Sequence, residues 1–380
     1  MPIYYGGLSG LDRISGTTNG FISISDRGPN VDADKLNGGK GAGFFPLPKF
    51  NPCIYNLRLE ADSIRVEKII PLKTESGGMV SGLPLPAAPG MKKEIFFIDT
   101  NKTPAMTDKF GIDCEGIVAG KDNELIICEE YGPCVWSVDK KSGVLKKRYS
   151  PYQISGKEIL FDSAYAKRRA NRGFEGIAVT PSGQIMALLQ SSANNPNSEA
   201  GENSRVQRLL EIDPKTGKSK TYVYLHEPKT ENIREKDWKI GDMTTINENE
   251  FLVIEHAVRK GEDSKKVYII DKSAATPITS DNFGGKTLEQ LDDAAGLEAS
   301  HIKPVQKKLF LDLLANGWDP KLEKPEGITI VNDSTIAVCN DNDFGITSTN
   351  ADGVISNTGV PSRIYIFTLP SDQKIKRLKR

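Results

Sequence analysis

The sequence lacks almost every signature that would name a chemistry outright. Lys and Arg total 50 and Asp and Glu total 50, so the net charge is zero. No global field draws the chain to nucleic acid or to an anionic membrane. No run of about 18 apolar residues exists, which excludes a helical membrane span. There is no G-x-S-x-G elbow, no P-loop, no dinucleotide-binding glycine pattern and no HExxH. The Gly-rich stretch Asn37–Phe44 lacks the K-[ST] ending of a P-loop and reads as an insert. Histidines number only three, and the five cysteines include no CxxC, so no zinc spacing is present. Buried free thiols are expected for Cys53, Cys114, Cys128, Cys134 and Cys339, ahead of a local disulfide among the middle three. No signal peptide is visible before the first strand pattern.

What the chain does have is repetition. Asp113–Tyr149 holds four short apolar runs separated by the turns KDNE, YGP and KKSG, the pattern of a four-stranded antiparallel meander. Copies begin at Phe174, near Lys239 and at Pro325, and a weaker copy opens the chain. Units of this kind bury both faces only by stacking radially, as the blades of a propeller. The fold class is therefore all-β, a β-propeller of four-stranded antiparallel blades. Blade units run about 40–50 residues, so six blades are expected and five are the alternative. Candidates for the sixth are Glu94–Asp99 and Lys307–Leu314. A single domain over 1–380 is expected, with inserts at about 28–52, 73–112, 191–204, 272–306 and 344–361. Thr287–Leu297 has helical spacing inside one insert.

Each unit opens its innermost strand on a polar residue: Ser9, Glu115, Glu175, Asp242 and Glu326. Each second strand closes on polar residues: Asp26-Arg27, Glu129-Glu130, Gln190-Ser191, Glu255-His256 and Asn340-Asp341. The second strand runs antiparallel to the first, so both sets surround one mouth of the channel. Crowded carboxylates need a cation, a proton or arginine partners. The supply of hard oxygens fits Ca²⁺, which takes about 6–8 oxygen ligands, better than zinc or copper. The expected metal ligands are Asp26, Glu115, Glu175, Asp242, Glu326, Asn340 and Asp341. Glu129, Glu130, Glu255 and His256 are the candidates for moving protons. Arg27, Arg172, Arg205 and Arg259 fall near mouth-side strand ends, where a guanidinium fork suits phosphate oxygens. His226 and His301 lack such context and read as surface residues. The glycine after each acid permits a positive φ or a close backbone approach.

These motifs resemble the phytase-like family, "esterase-like activity of phytase". The resemblance rests on SGL (Ser9–Leu11), SDRGP (Ser25–Pro29), DCEGI (Asp113–Ile117), EEYGP (Glu129–Pro133), NRGFEGIAVTPSG (Asn171–Gly183), IGDM (Ile240–Met243), KPEGI (Lys324–Ile328) and NDNDFG (Asn340–Gly345). They keep the family's order over nearly the whole chain. One departure is His256, which follows Glu255 where an arginine is expected and passes that place to Arg259. The resemblance implies a propeller exported to a periplasmic or extracellular space, by a targeting segment not present in this chain. It also implies hydrolysis of an ester or phosphoester. The leading expectation is a calcium-dependent phosphoesterase acting as a monomer on a small-molecule substrate, with no nucleic-acid partner. A calcium-dependent lactonase or carboxylesterase, and a non-catalytic binding propeller with a structural ion, are the alternatives.

Overall fold

The computed structural model describes residues 6–89, 91 and 93–375. Five antiparallel sheets follow one another along the chain. Blade 1 comprises Leu8–Arg13, Gly20–Ser25, Cys53–Glu60 and Ser63–Pro71. Blade 2 comprises Cys114–Ala119, Glu124–Glu129, Val135–Asp139 and Leu145–Ser150, and Ile159–Leu160 adds a short parallel edge. Blade 3 comprises Phe174–Val179, Ile185–Leu189, Val206–Ile212 and Ser219–Leu225. Blade 4 comprises Lys239–Thr245, Glu250–Arg259, Glu262–Asp271 and Gln306–Asp312. Among the described residues blade 5 has three strands, Lys324–Asn332, Thr335–Asp341 and Ile364–Thr368.

The apolar runs are nearly continuous because both faces of each blade are buried. In blade 2, Ile127 packs with Ile22, Ile24 and Ile54 of blade 1, while its neighbour Ile126 packs with Ile177 and Ile185 of blade 3. Met186 and Leu188 meet Met243 and Val253 between blades 3 and 4. Leu252 and Ile254 meet Ile328 and Val338 between blades 4 and 5. Leu11 and Phe21 meet Ala337 and Cys339, which joins blade 5 back to blade 1. The circuit closes there, with five blades among the described residues rather than the six first expected. Lys307–Leu314 does not start a sixth blade, since Gln306–Asp312 is the outer strand of blade 4. Phe96–Phe97 joins Val31–Asp32 and Gly43–Phe44 in a small separate sheet built from the inserts. Thr287–Leu297 contributes a 3-10 turn, Leu288–Leu291, and the start of a short helix, Ala294–Ala299. All five cysteines are free thiols.

Glycine follows the acid because the first strands of adjacent blades almost touch. A Cβ on Gly10 would lie 2.9 Å from the Cα of Gly116, and one on Gly116 would lie 2.9 Å from Ile177 Cγ2 and 3.0 Å from the Glu175 carbonyl. On Gly327 it would meet Cys339 Sγ at 2.4 Å and Leu11 Cβ at 2.8 Å. None of these three glycines has a positive φ, so close approach is the reason for them.

Candidate functional site at the channel mouth

Each of the five first strands carries an irregularity at the same place, between Leu8 and Leu11, Cys114 and Gly116, Phe174 and Gly176, Ile240 and Met243, and Pro325 and Gly327. A bulge leaves one residue unpaired and re-aims its side chain. The unpaired positions of blades 2, 3 and 5 hold Glu115, Glu175 and Glu326, while Ser9-Gly10 of blade 1 and Gly241-Asp242 of blade 4 stand between paired neighbours. Counted from the residue before the bulge, blade 4 reads K-I-G-D where blades 2, 3 and 5 read x-x-E-G, so Asp242 aligns with the glycine position. Its carboxylate accepts the backbone N–H groups of Met243 at 2.7 Å and Ile328 at 2.9 Å. Asp242, expected among the metal ligands, thus spends its oxygens on backbone donors of blades 3, 4 and 5.

Strand alternation sorts the second-strand ends in the same way. Ser25, Glu129, Glu255 and Asn340 stand opposite Leu8, Cys114, Ile240 and Pro325 and turn into the blade. Ser25 Oγ accepts from the Cys53 N–H at 2.9 Å. Glu129 accepts from the N–H groups of Tyr131 at 2.9 Å, Gly132 at 2.7 Å and Cys134 at 2.7 Å. Burial pushes its carboxyl up to about 7 against those bonds. Glu255 takes the Tyr224 hydroxyl, the Glu227 N–H at 2.7 Å and Lys307 Nζ at 2.7 Å. Asn340 accepts from the Arg363 N–H at 2.6 Å and donates to the Pro361 carbonyl at 3.2 Å. The proton-handling expectation for Glu129 and Glu255, and the ligand expectation for Asn340, give way to holding these connections. The next residues, Asp26, Glu130, Gln190, His256 and Asp341, face the mouth.

The mouth is divided by charge. Carboxylate oxygens of Asp26, Asp113 and Glu115 all come within 4.8 Å of one another, and so do those of Glu115, Glu130 and Glu175. Both oxygens of Asp113, Oε1 of Glu130 and Oε2 of Glu175 are buried and make no hydrogen bond among the described residues. Burial raises Glu115 well above the carboxylate range, and Glu175 and Asp113 push it further. Glu175 and Asp113 are also raised, first by burial. Buried carboxylate oxygens that share one place are compatible with a bound metal ion.

On blades 4 and 5 the same tier carries cations. Lys239 stands opposite His256 and Lys324 opposite Asp341. Lys324 Nζ pairs with Asp341 at 2.8 Å and Asp343 at 2.7 Å. Glu326 and Asp341 are raised, first by burial. Burial holds His256 well below its ordinary value, with Lys239 and Lys265 adding, so its ring is neutral.

The expected arginines separate clearly. Arg27 Nη1 lies 2.6 Å from Asp113 Oδ2 without hydrogen-bond alignment. Its Nη2 donates to Asn171 Oδ1 at 2.7 Å, and its guanidinium lies by the rings of Phe96 and Tyr131. Arg205 donates twice to the His226 carbonyl, at 3.0 and 2.7 Å, and Arg259 pairs with Asp237 at 3.0 Å. Those bonds tie Arg205 and Arg259, both expected to bind phosphate, to groups of the fold itself. Arg172 makes a single long bond, 3.3 Å to Ser191 Oγ. His226, expected at the surface, is 1% exposed and packs against Trp238.

The sequence reading missed Asp113, Lys239 and Lys324. Each stands two residues before Glu115, Gly241 or Glu326, and the period of two places it on the mouth side. It also missed Glu94, which pairs with Arg168 at 2.7 Å beside Arg27.

The sequence profile described as phytase-like, "esterase-like activity of phytase", matches residues 3–344. A relative from Arthroderma benhamiae, described as an uncharacterized secreted protein, is 25% identical over 248 residues, which are 55% of this chain and 48% of that one. The chain thus spans about half the length of the curated relative it matches. Among solved structures, a protein of unknown function from Dyadobacter fermentans aligns over 97% of this chain and 96% of its own, at 10% identity and a TM-score of 0.38. A calcium-binding protein, regucalcin, from Agrobacterium tumefaciens aligns over 98% of this chain and 77% of its own, at 9% identity and a TM-score of 0.35. Scores this low say nothing of what the present chain does. Among the described residues no helix is long and apolar enough to cross a membrane.

Proposed function

Since the chain belongs to the phytase-like family, we propose that it is a calcium-dependent phosphoesterase acting at the carboxylate half of the channel mouth. The observation that carries this reading is the set of buried oxygens on Glu130 and Glu175 that have no hydrogen-bond partner among the described residues, gathered with Asp113 around Glu115. Asp26, Asp113, Glu115 and Glu175 would hold the ion, with Glu130 beside them left to handle a proton. When bound, a hard divalent cation supplies the positive charge that polarises a phosphoryl oxygen.

The chain's own groups supply the rest. Glu130 Oε1, facing the mouth without a partner, is the proton acceptor for an attacking water. Arg27 fixes Asp113 from behind and lends its charge to the site. Arg172, with no carboxylate of its own, is free to meet developing negative charge on phosphorus. Export from the cytoplasm is part of the same proposal and is supported by the description of the Arthroderma benhamiae relative as secreted.

The test is turnover of a chromogenic aryl phosphate by the full chain, with calcium and with chelator. Activity is expected with calcium and should vanish on chelation. Absence of turnover on both phosphomonoesters and phosphodiesters would overturn the reading. Calcium-dependent stability without any turnover would leave a binding propeller in its place.

A further inference from the structure

We propose that Lys239, Arg172 and His256 form a subsite for the phosphate group of the substrate on the cationic half of the mouth. The subsite rests on reading this mouth as a hydrolase centre, yet it should bind phosphate without any cation present.

Three observations place these side chains together. Lys239 and His256 are directly opposite one another in the first two strands of blade 4, so their side chains share the mouth face. Arg172 donates to Ser191 Oγ, and Ser191 Oγ donates to the carbonyl of Trp238, the residue before Lys239, at 3.1 Å. The Ile240 N–H donates to the Gln190 carbonyl at 3.0 Å, which fixes blade 3 against blade 4 at this spot.

The electrostatics show what is unbalanced. Three of the neighbouring cations have carboxylate partners: Arg27 has Asp113, Arg168 has Glu94, and Lys324 has Asp341 and Asp343. Lys239 and Arg172 make no ion pair among the described residues. Arg172 is the largest influence on Lys239 and, with burial, pushes its ammonium down to about 8. Burial, with Arg169 adding, lowers Arg172 to about 10. Glu175 and Glu326 offset this only in part. His256, 3% exposed, has an Nε2 without a hydrogen-bond partner. Two crowded cations and a buried neutral imidazole nitrogen are relieved together by one oxyanion. A phosphate presents oxygens in several directions, which suits an ammonium, a guanidinium fork and a ring nitrogen at once better than a planar carboxylate does. The substrate class is thus a phosphomonoester, its phosphate lying between the cations and the carboxylate cluster, rather than a neutral ester or lactone.

Calorimetric titration of inorganic phosphate into the full chain, in chelator, tests the subsite, with acetate as the comparison. Phosphate should bind and acetate should bind more weakly. Lys239→Met and Arg172→Met should each weaken phosphate by roughly tenfold or more, the scale of one charged hydrogen bond. Lys239→Arg keeps the charge and should retain binding, which separates loss of the cation from loss of the fold. No phosphate binding by the chelated protein overturns the proposal. So does unchanged affinity in both methionine variants with native circular dichroism. If phosphate binds through these cations while calcium gives no turnover, the subsite stands and the catalytic reading alone falls.

Discussion

The carboxylate of Asp242 on blade 4 accepts the backbone N–H of Ile328 on blade 5 at 2.9 Å. With the Ile177 N–H of blade 3 donating to the same carboxylate at 3.5 Å, one acid of the repeated motif joins three blades, while its counterparts in blades 2, 3 and 5 face the mouth. The position decides this, since Asp242 occupies the glycine place of the bulge. Asp242→Ala should therefore cost about 1–3 kcal/mol of stability, the penalty for stranding buried donors. Calcium should still stabilise the folded variant as it does the parent. Chemical denaturation with and without calcium checks both.

Glu115 belongs to both carboxylate trios, and burial together with Glu175 and Asp113 raises its pKa. Glu115→Gln removes one of the mutually repelling charges. The chelated variant should melt higher than the chelated parent, and the upward shift on adding calcium should be largely lost. A calcium-induced shift equal to the parent's would remove Glu115 from the ion site. Thermal melts of the two proteins in calcium and in chelator decide it.

Gly327 allows the first strand of blade 5 to lie against blade 1, which closes the ring. An added Cβ would meet Cys339 Sγ at 2.4 Å and Leu11 Cβ at 2.8 Å. Gly327→Ala should destabilise by about 1–3 kcal/mol through overpacking. Gly41→Ala is the matched control, since its φ is not positive and the nearest atom to an added Cβ is Asp34 Oδ1 at 3.9 Å. Urea unfolding of the pair separates crowding from backbone conformation, and equal losses would count against the close-approach account.

Much of this architecture is legible in the sequence, because strand length, turn residues and the motif order repeat with the blades. The blade number is not, since Lys307–Leu314 reads as a new unit and only its pairing with Glu262–Asp271 shows it to be an outer strand. The carboxylates are legible as a set but not one by one. Glu129 and Glu130 are adjacent and chemically alike, and only the pleat sends one to the Cys134 N–H and the other to the mouth. Lys239 and Lys324 look like surface charges until their two-residue offset from the bulge is seen. Arginine partners such as Asn171 for Arg27 come from a remote blade, and no local spacing announces them.

Away from the mouth, Glu158 offers a pH test free of the carboxylate cluster. Burial would raise its carboxyl, but bonds from Ser155, the Ile154 N–H and Arg148 hold it far below the usual range. Arg148 Nε donates to it at 3.0 Å, and the Ser155 and Gly156 N–H groups donate at 2.9 and 3.0 Å. A depressed folded pKa means that the folded state binds fewer protons than the unfolded one. The stabilisation is then complete above the ordinary carboxylate range and is lost as pH falls through the folded value. Glu158→Gln should cost about 2 kcal/mol at pH 7, the scale of hydrogen bonds to a charged group. The gap between parent and variant should narrow steadily as pH falls below the ordinary carboxylate value, because protonation makes the parent's side chain neutral as well. Denaturant midpoints measured on both proteins from neutral pH downward test this, and a gap that widens on acidification would show that the carboxylate is not held in its charged form.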